Sequence, residues 1–236
     1  MRQVPYYLII GDGRMARHMA CYFDFLSLSY HTWARRSHDI SQLPDLISKS
    51  THVLILISDN AIDDFICTHL AGTDKTLVHF SGSLNTTLAH MAHPLMSFTP
   101  SVYTHDIYQS IWFVIEQEGP EFSSLLPGVP NAHAAIPTKD KNFYHSLCVL
   151  SSNFTCLLWQ KLFTTLEQQW QIPSVAAQPI LKQVMANLIH NPQSALTGPL
   201  ARDDQQTIQR NLQALENDAY QEVYQAFVNA YQQERK

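Results

Sequence analysis

Positive charge is in short supply. The 236-residue chain carries 15 Lys and Arg against 20 Asp and Glu, a formal net charge of -5. A protein that grips nucleic acid through its phosphates wants the opposite balance, so that partner is not expected, although a local basic patch can still hold one phosphate. Cysteine is scarce as well. Cys21, Cys67, Cys148 and Cys156 form no C-x-x-C pair and no zinc-like spacing, which points to small buried thiols in a reduced, cytoplasmic protein. His79, His90, His105, His133 and His190 are equally scattered, and no metal is assigned. Long apolar runs are missing: none reaches the roughly 20 residues that span a bilayer. The first such run, Val4 to Ile10, goes straight into a glycine turn at strand length, unlike a secretion signal. No membrane partner, internal repeat or low-complexity segment is expected.

What is present is a large apolar fraction, 45% of residues, enough for a packed core. Tyr6 to Ile10 reads as a strand covered on both faces. A helix follows over Arg14 to Leu26, with Met15, Met19, Tyr22, Phe23 and Leu26 at helical spacing. Strands are predicted at His31–Ala34, His52–Ile57, Thr76–Phe80, Met96–Phe98, Ile111–Ile115 and Ala132–Ile136. A helix over Asn60–Leu70 is capped by Asp59 or Asn60. Strands alternating with helices imply an α/β fold with a doubly wound, mostly parallel sheet. After Pro137 almost everything reads as helix, with breaks near Pro173, Pro179, Pro192 and Gly198-Pro199. The chain is therefore divided into residues 1–137 and an all-α domain over residues 138–236.

Gly11-Asp12-Gly13-Arg14-Met15-Ala16 matches the G-x-G-x-x-A form of a dinucleotide-binding turn, and it has the required strand before it and helix after it. The first glycine allows the tight turn, the second lets the backbone approach a pyrophosphate, and Ala16 lets helix and strand pack closely. The helix N-terminus then offers free N–H groups to the anion. An NAD site usually carries an acidic residue at the end of the second strand to hold the ribose 2′-hydroxyl. This chain has Arg35-Arg36-Ser37 there. Guanidinium groups and a hydroxyl suit a 2′-phosphate, so the expected cofactor is NADP. Ser58, after the third strand, is placed along the cofactor trough.

Reduction of a carbonyl by hydride needs a proton donor and, for an acid substrate, a cation for the carboxylate. On the first helix after residue 137, an ideal helical wheel puts Lys141, His145 and Ser152 on one polar line, with Asn153 beside it. His145 can donate a proton near neutrality; Lys141 can do so if burial lowers its pKa. Asn153 and Ser152 can orient the substrate. A second cluster runs Ala195-Leu196-Thr197-Gly198-Pro199-Leu200-Ala201-Arg202-Asp203-Asp204. Gly-Pro breaks a helix there, Asp203 can cap the next one, and Thr197 and Arg202 flank the turn, with Arg202 able to hold a carboxylate from its own or a partner subunit. Pro94 fixes a loop that presents His93 or Ser97 to the same side.

Together, Leu8–Ala16, His93-Pro94-Leu95-Met96-Ser97-Phe98, Tyr144-His145 with Ser152-Asn153, and the Ala195–Asp204 run resemble the Rossmann-like oxidoreductase family with a helical C-terminal domain of unknown function, DUF2520. That family is similar in architecture to 6-phosphogluconate and β-hydroxyacid dehydrogenases and to ketopantoate reductases, and some bacterial members resemble an alternative ketopantoate reductase of pantothenate biosynthesis. The resemblance implies NADPH-dependent reduction of 2-dehydropantoate to pantoate. The related dehydrogenases use Lys and Asn at K-x-x-x-N spacing on this helix; Lys141 and Asn153 are not so spaced, and the donor stays open between Lys141 and His145. A different substrate, such as an imine or a metal-reducing couple, and a non-catalytic NADP-binding regulator are the alternatives. The nicotinamide is expected between the two domains. The amphipathic C-terminal helix carrying Leu212, Leu215, Ala219, Val223, Ala226, Phe227 and Ala230 suggests packing within the domain or across a dimer, and a homodimer is expected.

Overall fold

The computed structural model describes residues 4–235. β1 (Tyr6–Ile10) is buried on both faces apart from its first residue, as its unbroken apolar run requires. It lies between β2 (Ser29–Trp33) and β3 (His52–Ile55), parallel to both. β4 (Thr76–His79) and β5 (His90–Pro94) extend the parallel sheet. β6 (Phe113–Glu116) runs antiparallel to β5, and β7 (His133–Ile136) parallel to β6, giving the order β2-β1-β3-β4-β5-β6-β7. This is a Rossmann-like, doubly wound α/β fold followed by a helical region. The order reverses at β1, so the carboxyl ends of β1 and β3 open the crevice where such sheets take ligands.

Helix α1 (Arg14–Leu26) presents Ala16, Met19, Tyr22 and Phe23 to one core. The opposite face of the sheet packs Leu8, Ile10, Val53 and Ile55 against α2 (Leu43–Lys49) and the segment after β3. That segment is not the single capped helix expected. It is a 3₁₀ turn at Asp59–Ala61, one α turn, α3 (Ile62–Phe65), and a π turn at Ile66–Leu70. Neither Asp59 nor Asn60 caps it; the Asp59 carboxylate instead accepts the Ser81 hydroxyl. The strand expected at Met96–Phe98 is displaced to β5, His90–Pro94. α4 (His105–Ser110) and α5 (Phe122–Leu125) complete the layers.

After β7 the chain is helical: α6 (Lys141–Val149), a π turn at Leu150–Phe154, α7 (Thr155–Trp170), α8 (Gln178–His190), α9 (Gln205–Ala214) and α10 (Tyr220–Gln233). By packing the chain divides into two units, with the division between Leu157 and Leu158. α6 and its π turn belong with the sheet. In the second unit Ile208, Leu212 and Val228 make a small core between α9 and α10. Asp204 caps α9 by accepting the Thr207 N–H at 3.0 Å. The expected cap, Asp203, takes a left-handed conformation instead, with φ 54°. Lys161 and Asp218, 2.5 Å apart, tie α7 to the break before α10. No helix among the described residues is long and apolar enough to cross a membrane.

Candidate functional site

The turn between β1 and α1 is shaped by its glycines. Gly11 has φ +126°, and a Cβ there would collide with the Leu56 carbonyl oxygen; only glycine fits. Gly11 N–H bonds the Trp33 carbonyl at 2.8 Å, which fixes the turn against the end of β2. Gly13 is the N-cap of α1 and makes no side-chain cap. A Cβ on Gly13 would meet nothing within 4 Å, so the space above it is open. Asp12, Gly13 and Arg14 are exposed, Met15 is half-buried and Ala16 is buried under the helix. The Arg14 guanidinium donates to the Phe98 carbonyl at 3.2 Å. The α1 N-terminus therefore faces open space with its amides unfilled by side chains, a ready anion site.

This turn opens a groove of about 940 Å³. Its walls include Gly11 to Met15, the end of β2 through Arg35, Arg36 and His38, and Ser58 and Asn60 after β3. Arg35, Arg36 and Ser37 are exposed, and neither guanidinium is in an ion pair among the described residues. They sit on a tight turn whose amides close on Ala34: Ser37 and His38 N–H both donate to its carbonyl at 3.0 Å. The His38 ring locks that turn, its Nδ1 accepting Ala34 N–H at 3.1 Å. Ser58 is exposed and free of a capping bond.

The same carboxyl edge continues past β4 and β5. Ser81 follows β4; its oxygen accepts the Leu84 N–H at 3.0 Å while its hydroxyl goes to Asp59. Leu84 in turn offers its carbonyl to the Lys141 ammonium at 2.7 Å, and Lys141 pairs with Glu116 at 2.9 Å. The loop over residues 81–84 is thus pinned at both ends. Gly82, between the pins, lies under two imidazoles: a Cβ there would fall 2.5 Å from His145 Cδ2 and 3.1 Å from His93 Nε2. The rings of His93 and His145 are 5.8 Å apart and nearly perpendicular. The Tyr144 hydroxyl is 2.8 Å from His93 Nδ1. Burial, and then the neighbouring His145, push His93 down to about 4; burial pushes the Tyr144 hydroxyl well up. Both are neutral at physiological pH. His145, half-buried, makes no hydrogen bond to another described residue.

Lys141 does not share a polar line with Ser152. It is fully buried, and its charge is absorbed by Glu116. The π turn at Leu150–Phe154 widens the helix past the 3.6-residue period, so the phase used to align Lys141, His145 and Ser152 is lost there. The Ser152 hydroxyl lies 2.6 Å from the Cys148 carbonyl and 3.0 Å from Asn153 Oδ1, and Asn153 is exposed. Thr197 and Arg202, both exposed, belong to the second unit, where Arg202 N–H closes a turn onto the Gly198 carbonyl at 3.2 Å. Three participants carried no local signal: Gly82, Glu116 and Ser81 each matter through a partner distant in sequence. His93 did carry one, its place before Pro94.

Residues 116–231 match the profile of a family described as "Domain of unknown function (DUF2520)". No curated protein matches the chain. Among solved structures, a candidate NADP oxidoreductase, BF3122 from Bacteroides fragilis, superposes with a TM-score of 0.74 at 18% identity, covering 96% of this chain and 97% of that one. Protein TM1727 from Thermotoga maritima gives 0.70 at 22% identity, covering 98% and 100%. An imine reductase from Myxococcus stipitatus in complex with NADP+ gives 0.65 at 14% identity, covering 97% and 93%. The chain has their fold.

Proposed function

We propose that this protein is an NADP(H)-dependent reductase of a polarised double bond in a small molecule, working in the cytoplasm, where its four free cysteines stay thiols. One observation carries the reading. A single sheet edge runs from an open phosphate turn and two unpaired arginines to a pair of imidazoles over a glycine. The groove suits a dinucleotide: Gly11 to Ala16 would hold the pyrophosphate, Arg35, Arg36 and Ser37 the 2′-phosphate, and Ser58 the middle of the cofactor. When bound, the dihydronicotinamide supplies a hydride. The chain must then orient the acceptor and deliver one proton. His145 is the donor in this reading, because its ring nitrogens are uncommitted, whereas the Lys141 ammonium is held by Glu116 and Leu84. Asn153 and Ser152 orient the substrate.

The substrate proposed from the sequence resemblance is a small 2-keto acid, 2-dehydropantoate, reduced to pantoate for pantothenate biosynthesis. A second reading, an imine, is supported by the fold shared with an imine reductase that binds NADP+. It also gains from the neutrality of the His93–Tyr144 pair, which offers no charge for a carboxylate. Following NADPH absorbance with a panel of 2-keto acids, ketones and imines tests both. The Arg35→Ala/Arg36→Ala variant is expected to weaken NADPH binding by at least ~100-fold and leave NADH binding within about twofold, since two charge-assisted contacts to phosphate are each worth ~1.5–3 kcal/mol. Tight NADPH binding with no turnover on any substrate would favour a regulator. Equal loss for both cofactors would remove the arginines from the 2′-phosphate.

A homodimer is part of the reading. Phe143, Leu147 and Leu150 form an apolar stripe at four- and three-residue spacing along α6 as far as the π turn, and all three are exposed, Phe143 by 69%. Such a stripe suits a second copy of the same helix. Sedimentation at micromolar concentration is expected to show a dimer, and Leu150→Glu a monomer; a wild-type monomer throughout would refute it.

A further inference from the structure

We infer that His93 is a second catalytic residue: its Nε2–H is a fixed hydrogen-bond donor to the oxygen or nitrogen being reduced, and Tyr144 is the positioning residue that fixes it. The inference rests on the reductase reading and deepens it. Three observations lead here.

First, the Tyr144 hydroxyl touches His93 at Nδ1, 2.8 Å away, and leaves Nε2 on the other side of the ring. An imidazole nitrogen is a far better acceptor than the Cys148 thiol, which also neighbours this hydroxyl. The phenol therefore donates to His93 Nδ1, and a neutral His93 must carry its proton on Nε2.

Second, a Cβ on Gly82 would fall 3.1 Å from His93 Nε2 and 2.5 Å from His145 Cδ2, so the Nε2 side of His93 and the carbon edge of His145 both lie over the Gly82 backbone. Glycine at residue 82 is what allows both rings to close over one point; any Cβ would drive them apart. A fixed N–H donor beside a second imidazole is what a developing alkoxide or amine needs.

Third, the charges around His93 keep it neutral. Facing it are His145 from α6, Asp59 after β3 and His79 from β4; burial outweighs them all and holds the ring near 4. A neutral donor next to His145 leaves that residue free to carry the mobile proton.

In the step itself the acceptor carbon gains the hydride and the double bond opens onto its oxygen or nitrogen. The N–H bond of protonated His145 breaks as an O–H or N–H bond forms on the substrate. The dihydronicotinamide is oxidised, the substrate is reduced, and His145 recovers a proton from water. His93 keeps its proton throughout and steadies the charge.

The test uses the full-length protein with 15N-labelled histidine and the NADPH assay. NMR is expected to show His93 as the Nε2–H tautomer, without titration between pH 5.5 and 9, and to show tautomer mixing in Tyr144→Phe. In the assay His93→Leu should lower kcat by ~100-fold with the KM for NADPH unchanged. His93→Gln, whose amide places an N–H close to Nε2, should restore at least tenfold of that loss. Tyr144→Phe should lower kcat by about tenfold. An Nδ1–H tautomer, or His93→Leu at wild-type kcat, overturns the inference. A wild-type protein that binds NADPH, shows the Nε2–H tautomer and reduces nothing overturns the reductase reading, and the catalytic role of His93 with it.

Discussion

Lys141→Met is expected to destabilise the protein by about 3–5 kcal/mol, the usual cost of stranding one partner of a buried ion pair. For a chain of this size that lowers the unfolding midpoint by roughly 6–20 °C. The ammonium is completely enclosed and has two partners, the Glu116 carboxylate at 2.9 Å and the Leu84 carbonyl at 2.7 Å. Methionine fills much of the volume but leaves the Glu116 carboxylate, itself only 11% exposed, with one further hydrogen bond among the described residues, from the Met91 N–H at 3.3 Å. A stranded buried charge is what makes the loss large, so removing that charge as well should recover it. Glu116→Gln/Lys141→Met is therefore expected to regain more than half of the midpoint, while Glu116→Gln alone falls between. If Lys141→Met melts within a degree or two of wild type, the pair does not hold α6 to the sheet. Because Leu84 ends the loop that carries Gly82, the folded fraction of Lys141→Met should also lose activity through a looser His93–His145 pair, with NADPH binding kept. Lost NADPH binding would instead put Lys141 at the cofactor.

What could be read from the chain, and what could not, follows the range of the physics involved. β1 and α1 were legible because their causes are local: a double-sided apolar run, then a 3.6-residue period, with glycines between. The cofactor half of the site inherits that locality, since Gly11 to Ala16 and Arg35 to Ser37 sit at strand ends. β5 was misplaced because His90-Met91-Ala92-His93-Pro94 looks polar and ends in proline; proline fits here because the strand stops at it and the Leu95 N–H resumes the bonding, to Trp112 O at 2.8 Å. The phase of Ser152 and Asn153 was misread because a π turn leaves no mark in the sequence. Lys141 looked like a polar-face residue because nothing adjacent announces Glu116, 25 residues earlier. The same holds for Gly82, since nothing near it in the chain marks it as the floor beneath two imidazoles.

Gly11→Ala and Gly13→Ala should fail differently, and the contrast tests the phosphate turn itself. At Gly11 both the conformation and the space forbid a side chain: φ is +126°, and the Cβ would strike the Leu56 carbonyl oxygen. Leu56 cannot withdraw cheaply, because its own N–H bonds the Ile10 carbonyl at 2.8 Å in the β1–β3 ladder. Gly11→Ala must therefore push apart the two central strands or distort the turn, at a cost of about 2–4 kcal/mol in stability from strain of this kind. NADPH affinity should fall with it, because the α1 amides lose their aim. Gly13 is the opposite case. Its φ is −69° and ψ −177°, a conformation alanine adopts readily, and its Cβ would project into open space. Gly13→Ala should melt within a degree or two of wild type, since nothing in the protein meets the new methyl group. If the turn cradles a pyrophosphate, that methyl stands where the phosphate oxygens approach the backbone, and NADPH affinity should drop at least tenfold, about 1.4 kcal/mol. Isothermal titration with NADPH beside a thermal melt separates the two effects. A Gly13→Ala protein that binds NADPH like wild type would show that the ligand does not lie over this turn, whatever Gly11→Ala does to the fold.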